Sequence, residues 1–399
     1  MSYSKSKTYE NSPFGVTASN QTGIREHNER LVLTILRKKG PLPKAEIARQ
    51  TGLSAQAASV IVRALEHDGL LVKGEKTRGN IGQPSIPMQL SPEGAYFLGL
   101  KVGRRSAELI LIDFLGNELA HIVEPYICPT PEKIMEFVRR AVDKICGLLP
   151  LELRDRIAGM GIATPFFLWD WASVIGLESN AMMDWKDYDL QAEIAVYYDF
   201  PIYLGNDGTS ACGAELTFGK TKPPLDFLYI YIGYFIGGGI SLNGRLYSGQ
   251  SGNAGAVGPF PIRTSKGEIV QLVERASLIS LECQLAAHRA DPEFAIRADY
   301  TPLDGEEAII DEWLEVSAQG IAQLILGACS IIDFPLVIVD GKMPLFLRTK
   351  IIKDVSKALD NLPFSGLIKP EVTAGSLGDR ARAVGAASIP LSKKFMLEA

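Results

Sequence analysis

Gln56, Ser59 and Arg63 fall three and four residues apart, in a stretch where Ala57, Ala58, Ile61 and Leu65 form an apolar stripe. An amide, a hydroxyl and a guanidinium on one face of a helix can hydrogen-bond base edges in the major groove of duplex DNA. Ser54, just ahead of them, supplies the hydroxyl that an N-cap needs and counts with the same DNA-facing set. Lys73, Lys76 and Arg78 follow in a Gly-rich loop spanning 73–83, where they suit phosphate contacts that give affinity without reading sequence. A solvated helix face has a similar composition, but the local charge favours DNA. Residues 1–92 hold 13 Lys and Arg against 7 Asp and Glu, while the whole chain carries a net charge of −5. One end of an acidic protein is therefore suited to a polyanion.

A second candidate constellation is Asn206-Asp207, directly after the apolar run Ile202–Leu204. The pair also serves as a turn or an N-cap, and its place after a buried strand favours a ligand pocket. The five cysteines (Cys128, Cys146, Cys212, Cys283 and Cys329) form no C-x-x-C pair and have no neighbouring histidine cluster. That argues against a disulfide framework and against a cysteine-rich zinc site.

The elements that must position these residues are legible from periodicity. Glu26–Lys39 has a helical pattern stopped by Gly40-Pro41, Lys44–Gln50 a second, and Ser54 opens a third running to about His67, with Thr51-Gly52 as the turn between them. Gly69–Val72 and Ile86–Leu90 then form the strands of a hairpin wing, completing a winged helix-turn-helix. From Tyr96 onward strands and helices alternate. Strands are expected at Phe97–Val102, Ala107–Phe114, Glu118–Glu124, Ile157–Thr164, Ile202–Leu204, Phe227–Ile232, Ile240–Leu242 and Leu336–Val339. Helices are expected at Pro131–Leu149, Leu190–Tyr198, Val270–Arg289, Asp304–Ile331 and Leu345–Leu359. The body reads as two mixed α/β units with a cleft between them. Residues 1–22, rich in Ser, Thr and Asn, lack the apolar core of a signal peptide and read as a disordered leader. The expected domains are thus 23–92 for DNA binding and 93–399 for the body. A length of 399 residues, 46% hydrophobic and 22% charged, is ordinary for a soluble protein. No run approaches the roughly 18 apolar residues of a membrane span, so a cytoplasmic protein without a membrane partner is expected.

With these elements, several segments together resemble the ROK family of bacterial repressors and sugar kinases. They are Phe97–Phe114, Gly205-Asn206-Asp207, the glycine run Gly237-Gly238-Gly239 with Asn243-Gly244-Arg245-Leu246-Tyr247, Gly252-Asn253-Ala254-Gly255, and the ending 378–387. The resemblance covers nearly the whole chain from about Arg25. It implies two ribonuclease-H-like, actin-like lobes closing over a sugar, with ATP in the kinases. It also implies that Asp207 occupies the place of the kinase base, and that Asn206 and Asp207 hydrogen-bond sugar hydroxyls. Asn180 resembles another sugar contact, although its spacing to Trp185 is one residue long, and Glu274 stands one place from a further sugar-binding Glu.

The chain departs from the kinase pattern. Lys101-Val102-Gly103-Arg104-Arg105 stands where kinases carry Asp-x-Gly-x-Thr, so a lysine replaces the metal-organising carboxylate, and Arg104 and Arg105 read as surface residues of a hairpin. Gly233-Tyr234-Phe235-Ile236-Gly237 replaces the small-residue phosphate loop. Ala256-Val257-Gly258-Pro259 replaces the family's Glu-x-Gly-His, and 266–274 contains no cysteine, so neither zinc nor ordinary hexose recognition is expected there. The expected function is a DNA-binding regulator, most simply a repressor, with no enzymatic activity and no cofactor or metal. Its expected partners are double-stranded DNA and a sugar or sugar-derived effector. The alternatives are a ROK sugar kinase, or a regulator whose body binds a protein partner. A palindromic operator needs two recognition helices and one chain supplies one, so a homodimer or higher oligomer is expected. The apolar helices near Ile321–Ile332 are its expected contact.

Overall fold

The structure, a computed structural model, describes residues 21–75, 86–172, 176–178, 180–220, 223–289, 296–297 and 299–397. The chain divides into two units, one formed by Met1–Leu90 with Phe395–Leu397, the other by Ser91–Lys394 with Glu398–Ala399. This moves the expected boundary by two residues, and it places the C-terminal Phe395–Leu397 with the first unit instead of the body.

In the first unit α1 (Gln21–Lys39), α2 (Lys44–Thr51) and α3 (Ala55–His67) are followed by β1 (Leu71–Lys73) and β2 (Met88–Leu90). α1 begins two residues inside the expected leader. Gly52, at φ 70°, ends α2 in a left-handed conformation that costs a glycine little. Two residues later Ser54 accepts the Ala57 N–H and caps α3. Val32, Leu33 and Leu36 of α1, Ile47 of α2, and Ala58, Ile61, Val62 and Leu65 of α3 are buried, which leaves the opposite face of α3 outward. β1 and β2 pair antiparallel, and Leu42 bridges to Met88. Leu397 N–H donates to Thr34 Oγ1 within the same unit.

The second unit contains two five-stranded sheets built to one plan. The first, from β3 (Tyr96–Val102), β4 (Ser106–Ile112), β5 (Glu118–Pro125), β6 (Ile157–Thr164) and β7 (Ile202–Asn206), has the order β5-β4-β3-β6-β7. The helices that follow its strands in the chain are α4 (Pro131–Cys146), the short α5 (Leu151–Arg154), α6 (Leu190–Ala195) and α7 (Asp207–Phe218), the last packing mainly on the second sheet. The second sheet, from β8 (Phe227–Ile232), β9 (Ile236–Leu242), β10 (Arg245–Tyr247), β13 (Leu336–Gly341) and β14 (Glu371–Ala374), has the order β10-β9-β8-β13-β14. In each sheet three antiparallel strands meet two parallel ones. The repeated order is the ribonuclease-H-like, actin-like lobe. A small ribbon of β11 (Pro261–Arg263) and β12 (Ile269–Gln271), then α8 (Val273–Ala276), α9 (Leu278–Ala286), α10 (Glu307–Cys329), α11 (Leu345–Asp360) and α12 (Ala381–Phe395) complete the described elements. Ile269–Gln271 is thus strand where the front of a helix is expected, and α7 and α12 are helices that periodicity does not reveal.

Phe137, Val138 and Ile145 of α4 join Leu98, Leu100, Leu109 and Ile162 in the first lobe's core. Ile230, Ile232, Val337 and Val339 do the same in the second lobe with Trp313, Ile321 and Ile325 of α10 and Ile351 of α11. α10 therefore spends its apolar face within its own lobe. Of the stretch expected to form a dimer contact, Ile331 stands out at 86% exposed. α12 packs on the first sheet at a distance set by missing side chains. A Cβ at Gly161 would lie 1.8 Å from the Ala386 carbonyl oxygen, and one at Gly99 would lie 2.2 Å from that of Ala383. Gly161→Ala is expected to destabilise the chain by about 3 kcal/mol, the upper end for overpacking without room to relax. Urea unfolding checks this, and an unchanged midpoint would refute the close approach.

Candidate functional site

Gln56 and Arg63 are exposed and Ser59 is half-buried on the outward face of α3. Arg63 Nε donates to the Ser59 carbonyl, 3.2 Å away, which lays its guanidinium along that face. Ser54 is exposed, but its hydroxyl is engaged as the N-cap. Lys73 ends β1 and pairs with Glu66 at 3.1 Å. Lys76 and Arg78 lie outside the described residues. Val60, 54% exposed on the same side, is an apolar group that the polar spacing does not point to; such a group can meet a thymine methyl.

In the body, β7 delivers Asn206 and Asp207 to a cleft of ≈ 250 Å³ between the two sheets. Asn206 accepts the Gly208 and Thr209 N–H groups and so caps α7, while its amide faces Asn253 Oδ1 at 3.3 Å. Asn206 thus caps α7 and also lines the cleft. Asp207 accepts from Gly208 N–H and from Arg382 Nη1, the latter at 3.1 Å. Arg382 opens α12, and its guanidinium lies 4.6 Å over the Tyr231 ring. The cleft is also walled by Phe166, Phe167, Trp171 and Phe235, and by Ala256 and Pro259. Phe167 holds φ 56°, an uncommon conformation for a bulky residue of the kind that gathers at functional sites.

Two residues expected in the pocket are not among its walls. Asn180 is exposed, outside the cleft. Glu274 is also exposed, and its carboxylate accepts the Gln271 N–H at 2.8 Å. The turn from β12 into α8 consumes that carboxylate, and Gln271 reaches the cleft in its place.

Conversely, Arg104 is a cleft wall and not a surface residue. Its guanidinium lies 4.0 Å over the Phe235 ring, and Arg105 lies 4.7 Å over Tyr234. The two rings are themselves stacked, with centroids 5.8 Å apart. The β3–β4 hairpin of one lobe is thereby joined to the β8–β9 hairpin of the other by paired cation–π contacts. A Gly-Arg-Arg turn and a Gly-Tyr-Phe turn in matching places of two repeated lobes were the available signal. Beneath Arg104, Lys101 is buried and donates to Ser106 O (3.1 Å), Ser106 Oγ (2.8 Å) and Glu108 Oε1 (3.0 Å). All three of its hydrogens are engaged. Burial opposes the charge of Glu108, but Lys101 and His121 outweigh it and hold the carboxyl well below the usual range. Among the described residues no three His, Cys, Asp or Glu side chains gather to hold a metal ion. No helix of the described residues is long and apolar enough to cross a membrane.

A winged helix-turn-helix unit followed by paired actin-like lobes around a cleft defines the class of protein. The chain carries a ROK family domain, matched over residues 97–270, behind a winged helix-turn-helix DNA-binding segment matched over 25–72. It is 25% identical over 378 residues to the uncharacterized protein y4fQ of Sinorhizobium fredii, covering 92% of this chain and 91% of that one. It is also 25% identical over 244 residues to the xylose repressor of Bacillus subtilis, over 61% of this chain. That match spans about three-fifths (62%) of the repressor's own length. Among solved structures, a ROK family transcriptional regulator, a homologue of the Escherichia coli Mlc protein, shares the fold. Its TM-score is 0.67 at 19% identity, covering 94% of this chain and 98% of that one.

The second hairpin contact carries a pH dependence. Glu282 on α9 is buried and accepts the Ile296 N–H at 2.8 Å, with Arg105 Nη2 3.7 Å from its other oxygen. Burial pushes its carboxyl up to about 7, against the pull of the Ile296 N–H and of Arg105 and Lys342. From about 4.5 to about 7 the folded chain keeps a proton that the unfolded chain has lost, so this group subtracts stability as pH rises through that window. Glu282→Gln is expected to raise the thermal midpoint at pH 8, with the gain vanishing near pH 4. An equal shift at both pH values would refute the assignment.

Proposed function

We propose that this protein is a cytoplasmic transcriptional repressor that binds duplex DNA through α3 and the wing, and whose α/β body senses a sugar or sugar derivative. The observation that carries the reading is the division of α3. Ala58, Ile61, Val62 and Leu65 are buried while Gln56, Ser59 and Arg63 face outward from a capped helix, as a major-groove reader requires. The repressor named among its relatives supports a sugar as the signal.

A kinase reading is disfavoured by the two hairpins that would hold a magnesium nucleotide. Lys101 brings an ammonium to the place of a metal-binding carboxylate, and its hydrogens are consumed by Ser106 and Glu108. The stacked Arg104, Phe235, Tyr234 and Arg105 fill the space between the hairpins. These residues do not fit the phosphates and metal of a nucleotide, and no step is assigned to one. Asp207, paired with Arg382, acts as a binding group. An effector that favours one arrangement of the lobes shifts the population toward it, and that differential affinity sets the size of the response. The working unit is a homodimer or larger, because a two-fold operator takes two recognition helices.

A random-sequence duplex selection with the full chain tests the reading. Arg63→Ala is expected to cost about 1–3 kcal/mol at its preferred base and to relax the preference there. Lys76→Ala and Arg78→Ala should weaken all sequences evenly and flatten the salt dependence. Absence of preference for any duplex would overturn DNA recognition. Asp207→Asn should keep operator affinity and lose the response to effector, whereas sugar-dependent ADP release abolished by Asp207→Asn would restore the kinase reading.

A further inference from the structure

The polar groups around the cleft are not all paired. Four charged residues line it: Arg104, Arg382, Asp207 and Asp170. Asp170 is exposed. Asp207 is committed to Arg382 at 3.1 Å. Arg104 is left with no ion pair or hydrogen bond among the described residues, and its Nε is sealed from solvent without an acceptor. The Phe235 ring beneath it offers a face but no lone pair. Arg382 Nε and the Tyr231 hydroxyl are likewise buried without a partner. Buried donors are normally satisfied, and each one left open carries a desolvation cost. Ala256, Pro259 and Val273, which also line the cleft, bring no charge to it, and the acceptors of Asn253 and Gln271 make no hydrogen bond to Arg104.

We infer that the cleft takes an anionic saccharide derivative, a sugar acid or a phosphorylated sugar, whose carboxylate or phosphate is held by Arg104 beside the Arg382–Asp207 pair. A planar guanidinium matches either group through two parallel hydrogen bonds. The aromatic walls Phe166 and Trp171 bound the rest of the ligand, and Asp207 and Asn253 offer acceptors to its hydroxyls. A neutral sugar would leave Arg104 with only the charge of Asp207, which Arg382 already pairs. Arg104 stands on the first of the two hairpins that hold the nucleotide in the kinases, at a position their Asp-x-Gly-x-Thr pattern leaves open, so the guanidinium is this chain's own feature. The inference rests on the sugar-sensing reading and narrows it.

Titration calorimetry on the full chain tests it with D-glucuronate and D-gluconate in one arm, D-glucose 6-phosphate in a second, and neutral D-glucose and D-xylose in a third. At least one anionic saccharide is expected to bind ten-fold or more tightly than its neutral parent, and the arm that does so separates carboxylate from phosphate. Arg104→Met should remove that preference, and Arg104→Lys, which keeps the charge, should recover part of it. If the Met variant fails to fold, the Lys variant and the salt dependence of wild-type binding carry the test: binding must weaken as salt rises. Neutral sugars binding as tightly as charged ones would overturn the inference and leave the sugar sensor standing. No saccharide binding in any arm would overturn both, while a sequence preference in the duplex selection would still uphold DNA binding.

Discussion

The cleft depends on how closely α12 approaches the first sheet. With no side chain at Gly99 or Gly161, the carbonyls of Ala383 and Ala386 sit where a Cβ would be. The same applies at Gly385, whose Cβ would lie 2.1 Å from the Ser210 carbonyl oxygen on α7. Three surfaces, a sheet and two helices, thus meet backbone to backbone. This contact places Arg382, one residue into α12, within 3.1 Å of Asp207 at the first position of α7. A methyl group's worth of separation would break that ion pair before any polar substitution touched it. Close-packed interiors transmit such displacements instead of absorbing them.

A hairpin that carries a carboxylate in the kinases has Lys101, and the charge is answered internally by Glu108, with Ser106 and His121 completing the network. A buried ion pair of this kind is weak as a source of net stability, because desolvation offsets much of the attraction. Its consequence here is geometric, because it holds the base of the β3–β4 hairpin so that Arg104 and Arg105 project onto Phe235 and Tyr234. Each such contact is worth about 0.5–2 kcal/mol depending on how dry it is.

Much of this was legible in the sequence, for a definable reason. α2, α3, α4 and β6 announce themselves because each buries one face or one complete run against a single neighbour, and periodicity records that asymmetry. α7 fails the same test because Gly208 to Glu215 are all buried, so no polar stripe alternates with an apolar one. α12 fails because Ala, Gly and Ser fill it, and small residues report close packing only once the neighbour is known. The cleft position of Asn206 and Asp207 is legible because they stand at a strand end. Glu274 was misplaced because one residue in a short turn redirects a carboxylate from the cleft to the Gln271 N–H. Arg104 was read as surface because a hairpin arginine ordinarily is. Its aromatic partner lies 131 positions away at Phe235, in the equivalent hairpin of the other lobe, and only the repeat brings them together.

That repeat also limits how an effector can act. A ligand moves a two-state equilibrium only through contacts that differ between the states. Ligand contacts confined to one lobe are equal in any lobe arrangement and contribute affinity without signal. Contacts that span the lobes near the cleft include Arg104 on Phe235, Arg105 on Tyr234, Arg105 beside Glu282, and Asn206 beside Asn253. Of the residues in these contacts, Arg104, Phe235, Asn206 and Asn253 are also cleft walls. A group that draws the guanidinium of Arg104 toward itself competes with its stacking on Phe235, and so couples occupancy to the lobe interface. Arg105, its neighbour on the same turn, keeps its own contacts and limits the travel. A ligand held by Arg104 therefore engages a side chain that both lines the cleft and spans the lobes.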